Sequence, residues 1–321
     1  MDRDRSTGKK WLFRGLKLLV VALLVWAIRH TLYEAWKDLD NYPWRFLPGW
    51  LVLSAGLYLV GLSLAGFYWH RVLRTLGQDA RLKETMRAYF VGHLGKYVPG
   101  KAMVVVIRTA MIRGRRIDTS VAAVSVFLET LTMMAAGSFL AALYLAAAMQ
   151  ERGPAFWGAV GLAVVAGLPT APPVFKRLVR LAGVGKSDPG IARKIDALGY
   201  RTLLLGWVLM TLSWGLLGLS YWAALRGMGI EGLDPIMGLP RYTASVALAT
   251  VAGFLLLVLP GGLGVREGFL AELMIPYLKG LVSQAEVAAW ASAAVLRLVW
   301  LLSELVISGI LYPLHRRGSE L

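Results

Sequence analysis

Leu259-Pro260-Gly261-Gly262-Leu263-Gly264-Val265-Arg266-Glu267-Gly268 interrupts an otherwise apolar run from 241 to 279. Proline withholds an amide hydrogen and stops a helix, and the glycines permit the turn that follows. A second interruption, Gly95-Lys96-Tyr97-Val98-Pro99-Gly100-Lys101, splits the run 84–112 in the same way. Each run is predicted to fold as two short helices around a break. At 1.5 Å per residue the arms 84–98 and 101–112 reach only ~18–23 Å, short of the ~30 Å needed to cross a hydrocarbon core. The arm 241–259 is long enough to cross alone, so whether it turns back or passes through stays open.

Around these breaks lie six apolar segments that reach spanning length without strain: 12–33, 46–69, 118–149, 154–175, 201–226 and 284–313. The chain is 57% hydrophobic and only 17% charged, where a soluble domain is nearer a quarter charged. The predicted class is an all-α polytopic membrane protein. It has about six full transmembrane helices plus two re-entrant, Pro-Gly-broken helical hairpins. Lys9, Lys10, Arg14 and Lys17 precede Leu18–Ile28 like the start of a signal peptide. Arg29 and His30 follow at once, and no small-x-small cleavage site does, which makes 12–33 an uncleaved anchor.

The basic residues orient the spans. Most of the 35 lysines and arginines fall in the N-terminal tail, in 71–87, in 108–116, in the loop 176–200 with Arg201, and in the C-terminal tail. The other side receives only Arg29, Lys37, Arg45, Arg152, Arg226, Arg241, Arg266 and Lys279. With both broken runs re-entrant, the positive-inside bias puts both termini in the cytoplasm of a cell-membrane protein. The net charge of +16 then points to anionic inner-leaflet lipid rather than nucleic acid. With no cysteine and four scattered histidines, no metal or other cofactor is expected.

The single membrane domain reads as an anchor helix (12–33), a first repeat (46–149), a linking helix (154–175), a basic cytoplasmic loop (176–200) and a second repeat (201–313). Each repeat holds a span, a broken hairpin and a long final span. Three full spans separate the two starts, so the repeats face opposite ways. Inverted repeats with broken helices are a hallmark of transporters, whose site lies at the repeat interface.

Ionised groups at mid-bilayer cost ~2.5–3.5 kcal/mol on insertion scales and need partners or water. Glu129, Arg297 and Glu304 lie deep in spans, Glu304 two turns beyond Arg297 on a similar face. Lys96 and Lys101 flank the first break, Arg266 and Glu267 follow the second, and Glu272 lies further along. Structural pairing, anion binding and proton relay all remain open roles. The breaks favour an anion. Gly100, Gly261, Gly262 and Gly264 let backbone amides approach a ligand, the following half-helices present N-terminal dipoles, and Lys96, Lys101 and Arg266 add charge. Glu129 and Glu267 would offset these cations in an empty site. The Gly95-to-Lys101 run also matches a P-loop, but Ala102 stands where magnesium needs a hydroxyl, and no strand precedes it.

The run 95–101 with Arg108, Gly114 and the 118–130 stretch bearing Glu129, and the run 259–268 followed by Arg297, resemble the flippase-like transmembrane domain of lysylphosphatidylglycerol synthases, a family that also includes YbhN-like membrane proteins. The resemblance covers about 46–313. It implies movement of an anionic phospholipid or polyprenyl-type lipid between leaflets. The headgroup would be bound by Lys96, Pro99, Gly100, Lys101, Arg108, Pro260, Gly261, Gly262, Gly264 and Arg266, with Glu129, Glu267, Arg297 and Glu304 as charge partners. The synthases add a soluble aminoacyl-transferase domain after the membrane part. The expectation here is transport without catalysis, because the last span is followed by only eight residues.

Two other readings stand beside this one. A membrane glycosyl- or lipid-transferase would use Asp38 and Asp40 of the first outer loop, but short outer loops leave no domain to hold an acceptor. The chain would otherwise be a non-transporting partner of an envelope-lipid enzyme. Beyond membrane lipids, the partners left open are such an enzyme and a second copy of the chain.

Overall fold

The structure is a computed structural model that describes residues 45–98, 102–112, 116–148, 167–181, 189–255 and 264–312, with single positions between 157 and 165. The described residues contain helices and no β-strand. They are α1 (Pro48–Thr75), α2 (Leu82–His93) with a 3-10 turn (Leu94–Tyr97), α3 (Ala102–Ile112), α4 (Thr119–Ala148), α5 (Pro172–Leu181), α6 (Pro189–Asp196), α7 (Tyr200–Gly227), α8 (Leu239–Leu255), α9 (Val265–Leu278) and α10 (Ala285–Leu311). Four of them, α1, α4, α7 and α10, are long and apolar enough to cross a membrane. They coincide with four of the six expected spans. The anchor 12–33 lies outside the described residues, and 154–175 is described only in part.

The central seam is made by α1 and α7. Ser54 faces Ser220, Gly61 faces Ser213, and Tyr68 covers Gly206. As one number rises by seven the other falls by seven, so the helices run antiparallel. Small residues at the seam let the backbones close, as in membrane helix pairs generally. Both helices end alike. Gly77 and Gly229 have φ of +70° and +79°, which a Cβ would penalise. The amide of Gln78 reaches Leu73 O (3.0 Å) and that of Ile230 reaches Leu225 O (3.3 Å), the six-to-one closure of a Schellman cap.

Each broken run folds back on itself. Gly92 lies against Arg108 and Gly95 against Val104, so α2 and α3 form an antiparallel hairpin. A Cβ on Gly95 would sit 2.7 Å from the Val104 amide nitrogen, and only glycine allows so close a crossing. In the second hairpin, Tyr242 of α8 meets Tyr277 of α9, ring centroids 6.1 Å apart. The tips, with Pro99, Gly100, Lys101, Pro260, Gly261 and Gly262, lie outside the described residues.

Packing in one half has a counterpart in the other. The contacts α1–α2, α2–α3, α3–α4 and α1–α4 are matched by α7–α8, α8–α9, α9–α10 and α7–α10. Across the halves, α2–α10 and α1–α10 are matched by α8–α4 and α7–α4. The core lies along this assembly and includes Tyr58, Trp69, Trp214 and Trp300. Val52, Val60, Leu204, Val208, Leu302 and Val306 point outward, as lipid-facing side chains do.

The segment expected to be a basic loop, 176–200, contains α6 and most of α5, which starts at Pro172 inside the expected linking helix 154–175, after a 3-10 turn at Leu168–Thr170. Phe175 and Val179 are buried while Lys176 and Arg180 reach the Asp196 carbonyl and carboxylate. Apolar residues four apart share one helix face, a period short enough to escape a search for spans.

A side chain at Gly61 would meet Ser213 O at 3.2 Å and the Leu216 side chain at 3.4 Å, whereas Gly56 has nothing within 4 Å. Overpacking of this kind costs about 1–3 kcal/mol. Gly61→Leu is expected to lower the thermal midpoint of the detergent-solubilised chain, measured by size-exclusion recovery after heating, while Gly56→Leu leaves it unchanged.

Candidate functional site

Three buried carboxylates organise the interior. Glu129 on α4 receives Arg108 Nη1 (2.7 Å), the Tyr89 hydroxyl (3.1 Å) and the Thr130 hydroxyl (3.3 Å). The guanidinium of Arg108 lies 3.9 Å from the Tyr89 ring and 5.5 Å from that of Trp69. Arg108 is 2% exposed and compensated on every side but one: its Nε has no partner among the described residues. Expected at the sequence level as a headgroup ligand, it forms an ion pair with Glu129 in this structure. Losing either member of such a pair strands a charge and costs about 3–5 kcal/mol.

The second carboxylate, Glu267, sits in the first turn of α9. One oxygen takes Arg297 of α10, and the other takes the Gly264 amide at 2.8 Å. That amide is an orphan donor at a helix start, and an acidic side chain there also suits the helix dipole. The N-terminus of α9 is therefore already supplied with a carboxylate of its own.

The third, Glu304, is 1% exposed and bridges the two halves. It accepts Lys96 Nζ at 2.5 Å and the Tyr58 hydroxyl, with His93 Nε2 at 3.7 Å. Its Oε2 has no hydrogen-bond partner among the described residues. Arg297 and Glu304 share α10 but do not pair with each other, since each reaches a hairpin. His93 also approaches Arg108 through Nδ1 (3.5 Å), which links the first pair to the third.

Beside Glu304, the Trp300 indole stacks on Tyr58 at 4.2 Å and donates its N–H to Ser220 at 2.9 Å. The Arg266 guanidinium lies 4.4 Å from the same indole. Arg266 makes no ion pair among the described residues, and its buried Nη2 has no partner there. Arg266, Arg297 and Glu304 lie within electrostatic reach of Lys96. Side chains flanking both breaks thus converge on Trp300 and Glu304.

Among the described residues of this interior, four cations (Lys96, Arg108, Arg266 and Arg297) face three carboxylates (Glu129, Glu267 and Glu304), and Arg266 is the one of these cations without an ion pair. The aromatic frame of Tyr58, Tyr89, Tyr97 and Trp300, and the link through His93, do not stand out in the sequence. The available signal is a tyrosine or histidine inside an apolar or amphipathic run, which commonly means ordinary packing.

A comparison with protein families matches residues 15–306 to the lysylphosphatidylglycerol synthase TM region. Among curated proteins, the comparison finds no match. The matched stretch takes in every charge of the buried cluster and both breaks, so the chain belongs to the lysylphosphatidylglycerol synthase transmembrane-region family, a membrane family related to lipid handling.

Proposed function

We propose that the chain translocates an anionic phospholipid or polyprenyl-type lipid between leaflets, receiving its headgroup at Arg266 and Lys96. One observation carries the reading: a guanidinium held against Trp300 whose buried Nη2 has no partner among the described residues, in a cluster whose described members hold one cation more than carboxylates. In a low-dielectric interior an uncompensated cation is costly, and a phosphate would cancel that cost on binding. Lys96 can exchange Glu304 for the same phosphate, because a 2.5 Å charge-assisted contact is replaced by one of the same kind.

In this reading the two hairpins are re-entrant, enter from opposite faces and belong to inverted repeats. The antiparallel α1–α7 seam and the matched packing of the two halves support it. The arrangement suits alternating access, where one repeat rocks against the other around a fixed midplane site. Six spans with both termini cytoplasmic complete the topology, and the chemistry is transport rather than catalysis.

Two measurements test this. In liposomes, the full chain is expected to raise leaflet exchange of labelled phosphatidylglycerol, and Arg266→Ala to slow it about 10- to 100-fold, the equivalent of a charged hydrogen bond worth ~1.5–3 kcal/mol. No exchange above empty liposomes across a panel of anionic lipids overturns the reading. For topology, the absence of native cysteine lets one introduced thiol report alone. Ser283→Cys should react with an impermeant maleimide in intact cells, and Ser187→Cys only after permeabilisation.

A further inference from the structure

At the open end of the second hairpin, far from Trp300, a cavity of about 290 Å³ is lined by Tyr144, Arg241, Leu273, Pro276 and Tyr277. That size lies at the lower edge of the ~300–1,000 Å³ range of small-ligand sites. Arg241 comes from the first turn of α8, Tyr144 from the end of α4, and the other three from the last turns of α9. Arg241 Nε donates to the Tyr144 hydroxyl at 2.8 Å, and its guanidinium carbon lies 4.2 Å from the Tyr277 ring centroid. The Tyr277 hydroxyl is in turn paired with that of Tyr242 at 3.2 Å. One edge and one face of the guanidinium are thus fixed, and its two terminal nitrogens have no hydrogen bond among the described residues. Among the described residues, no carboxylate lines the cavity.

We propose that Arg241, Tyr144 and Tyr277 form a second anion site, which takes the phosphate of a lipid headgroup or a free phosphate ion. A guanidinium held by its Nε and its ring-facing side presents a preorganised pair of N–H donors, the geometry that grips phosphate oxygens. Leu273 and Pro276 supply an apolar wall beside it, which suits a glycerol or isoprenoid stem following the phosphate. Arg266 and Tyr277 are eleven positions apart on α9, or ~16 Å along its axis. That is about half the thickness of a hydrocarbon core. With the break at the midplane, this site falls at the membrane–water interface, where Tyr and Arg are at home. The site stands whether or not the central cluster transports lipid.

The test uses the detergent-solubilised full chain with a diazirine-bearing leucine analogue at position 273. Photocapture of radiolabelled phosphatidylglycerol is compared with that of diacylglycerol, which has the same tails and no phosphate. Phosphatidylglycerol is expected to be captured and diacylglycerol not. Arg241→Gln should lower capture about tenfold. Tyr144→Phe, which removes one hydroxyl and keeps the ring, should lower it less. Arg266→Ala, which slows exchange if the central site binds the headgroup, should leave capture unchanged. Competition by inorganic phosphate supports the site with free phosphate as its source, and resistance to competition assigns the source to lipid. Equal capture of the two lipids, undiminished capture in Arg241→Gln, or loss of capture in Arg266→Ala overturns the proposal.

Discussion

Ser54 and Ser220 hold the molecule together at its centre. Each donates its hydroxyl to the other's backbone carbonyl, at 2.7 and 2.8 Å, and the two hydroxyl oxygens lie 2.9 Å apart. Such an exchange is available only where two helices approach backbone to backbone, and in a bilayer no water competes for the same groups. The closeness of α1 and α7 follows from it, and so do the positions of what leans on them. Trp300 is oriented by its N–H on Ser220, Tyr58 lies on Trp300, and the carboxylate that joins the halves receives the Tyr58 hydroxyl.

The buried charges are distributed by the same logic. Arg108 on α3 pairs with Glu129 on α4, and Glu267 on α9 pairs with Arg297 on α10. Corresponding hairpin arms and corresponding long helices form both pairs, with the signs exchanged. Each pair ties a hairpin to its own half, whereas Lys96 and Glu304 tie the first hairpin to the second half. Two of the bonds are therefore anchors, and the third lies at the boundary between halves. In a low-dielectric interior a partnered charge is tolerated chiefly because breaking the pair is worse.

The four described spans were legible because hydropathy over twenty residues needs no knowledge of neighbours. The expected 118–149 and 201–226 are observed as Thr119–Ala148 and Tyr200–Gly227. The first was cut short at 69, where His70, Arg71 and Arg74 end the apolar run although the helix continues to Thr75. The breaks at Pro99 and Pro260 announced hairpins because proline and glycine act locally. Pairing was not legible. Glu304 lies two turns from Arg297 in the sequence, and both are buried, but rotation against neighbouring helices sends one to Lys96 and the other to Glu267. Arg108 reads as a headgroup ligand without its partner because Glu129 lies on the next helix, and the stacking of Tyr58 on Trp300 joins helices far apart in the sequence.

The caps at Gly77 and Gly229 fix more than where two helices stop. A Schellman closure turns the chain at one angular position on the helix, so each following hairpin leaves α1 or α7 from a set azimuth. One residue inserted before either glycine would rotate that exit by about 100° at 3.6 residues per turn. It would swing Arg108 or Glu267 away from the long helix that neutralises it. Length variation between homologous chains should therefore be excluded from the helix bodies upstream of these glycines and collect in the connections that carry no such angular requirement.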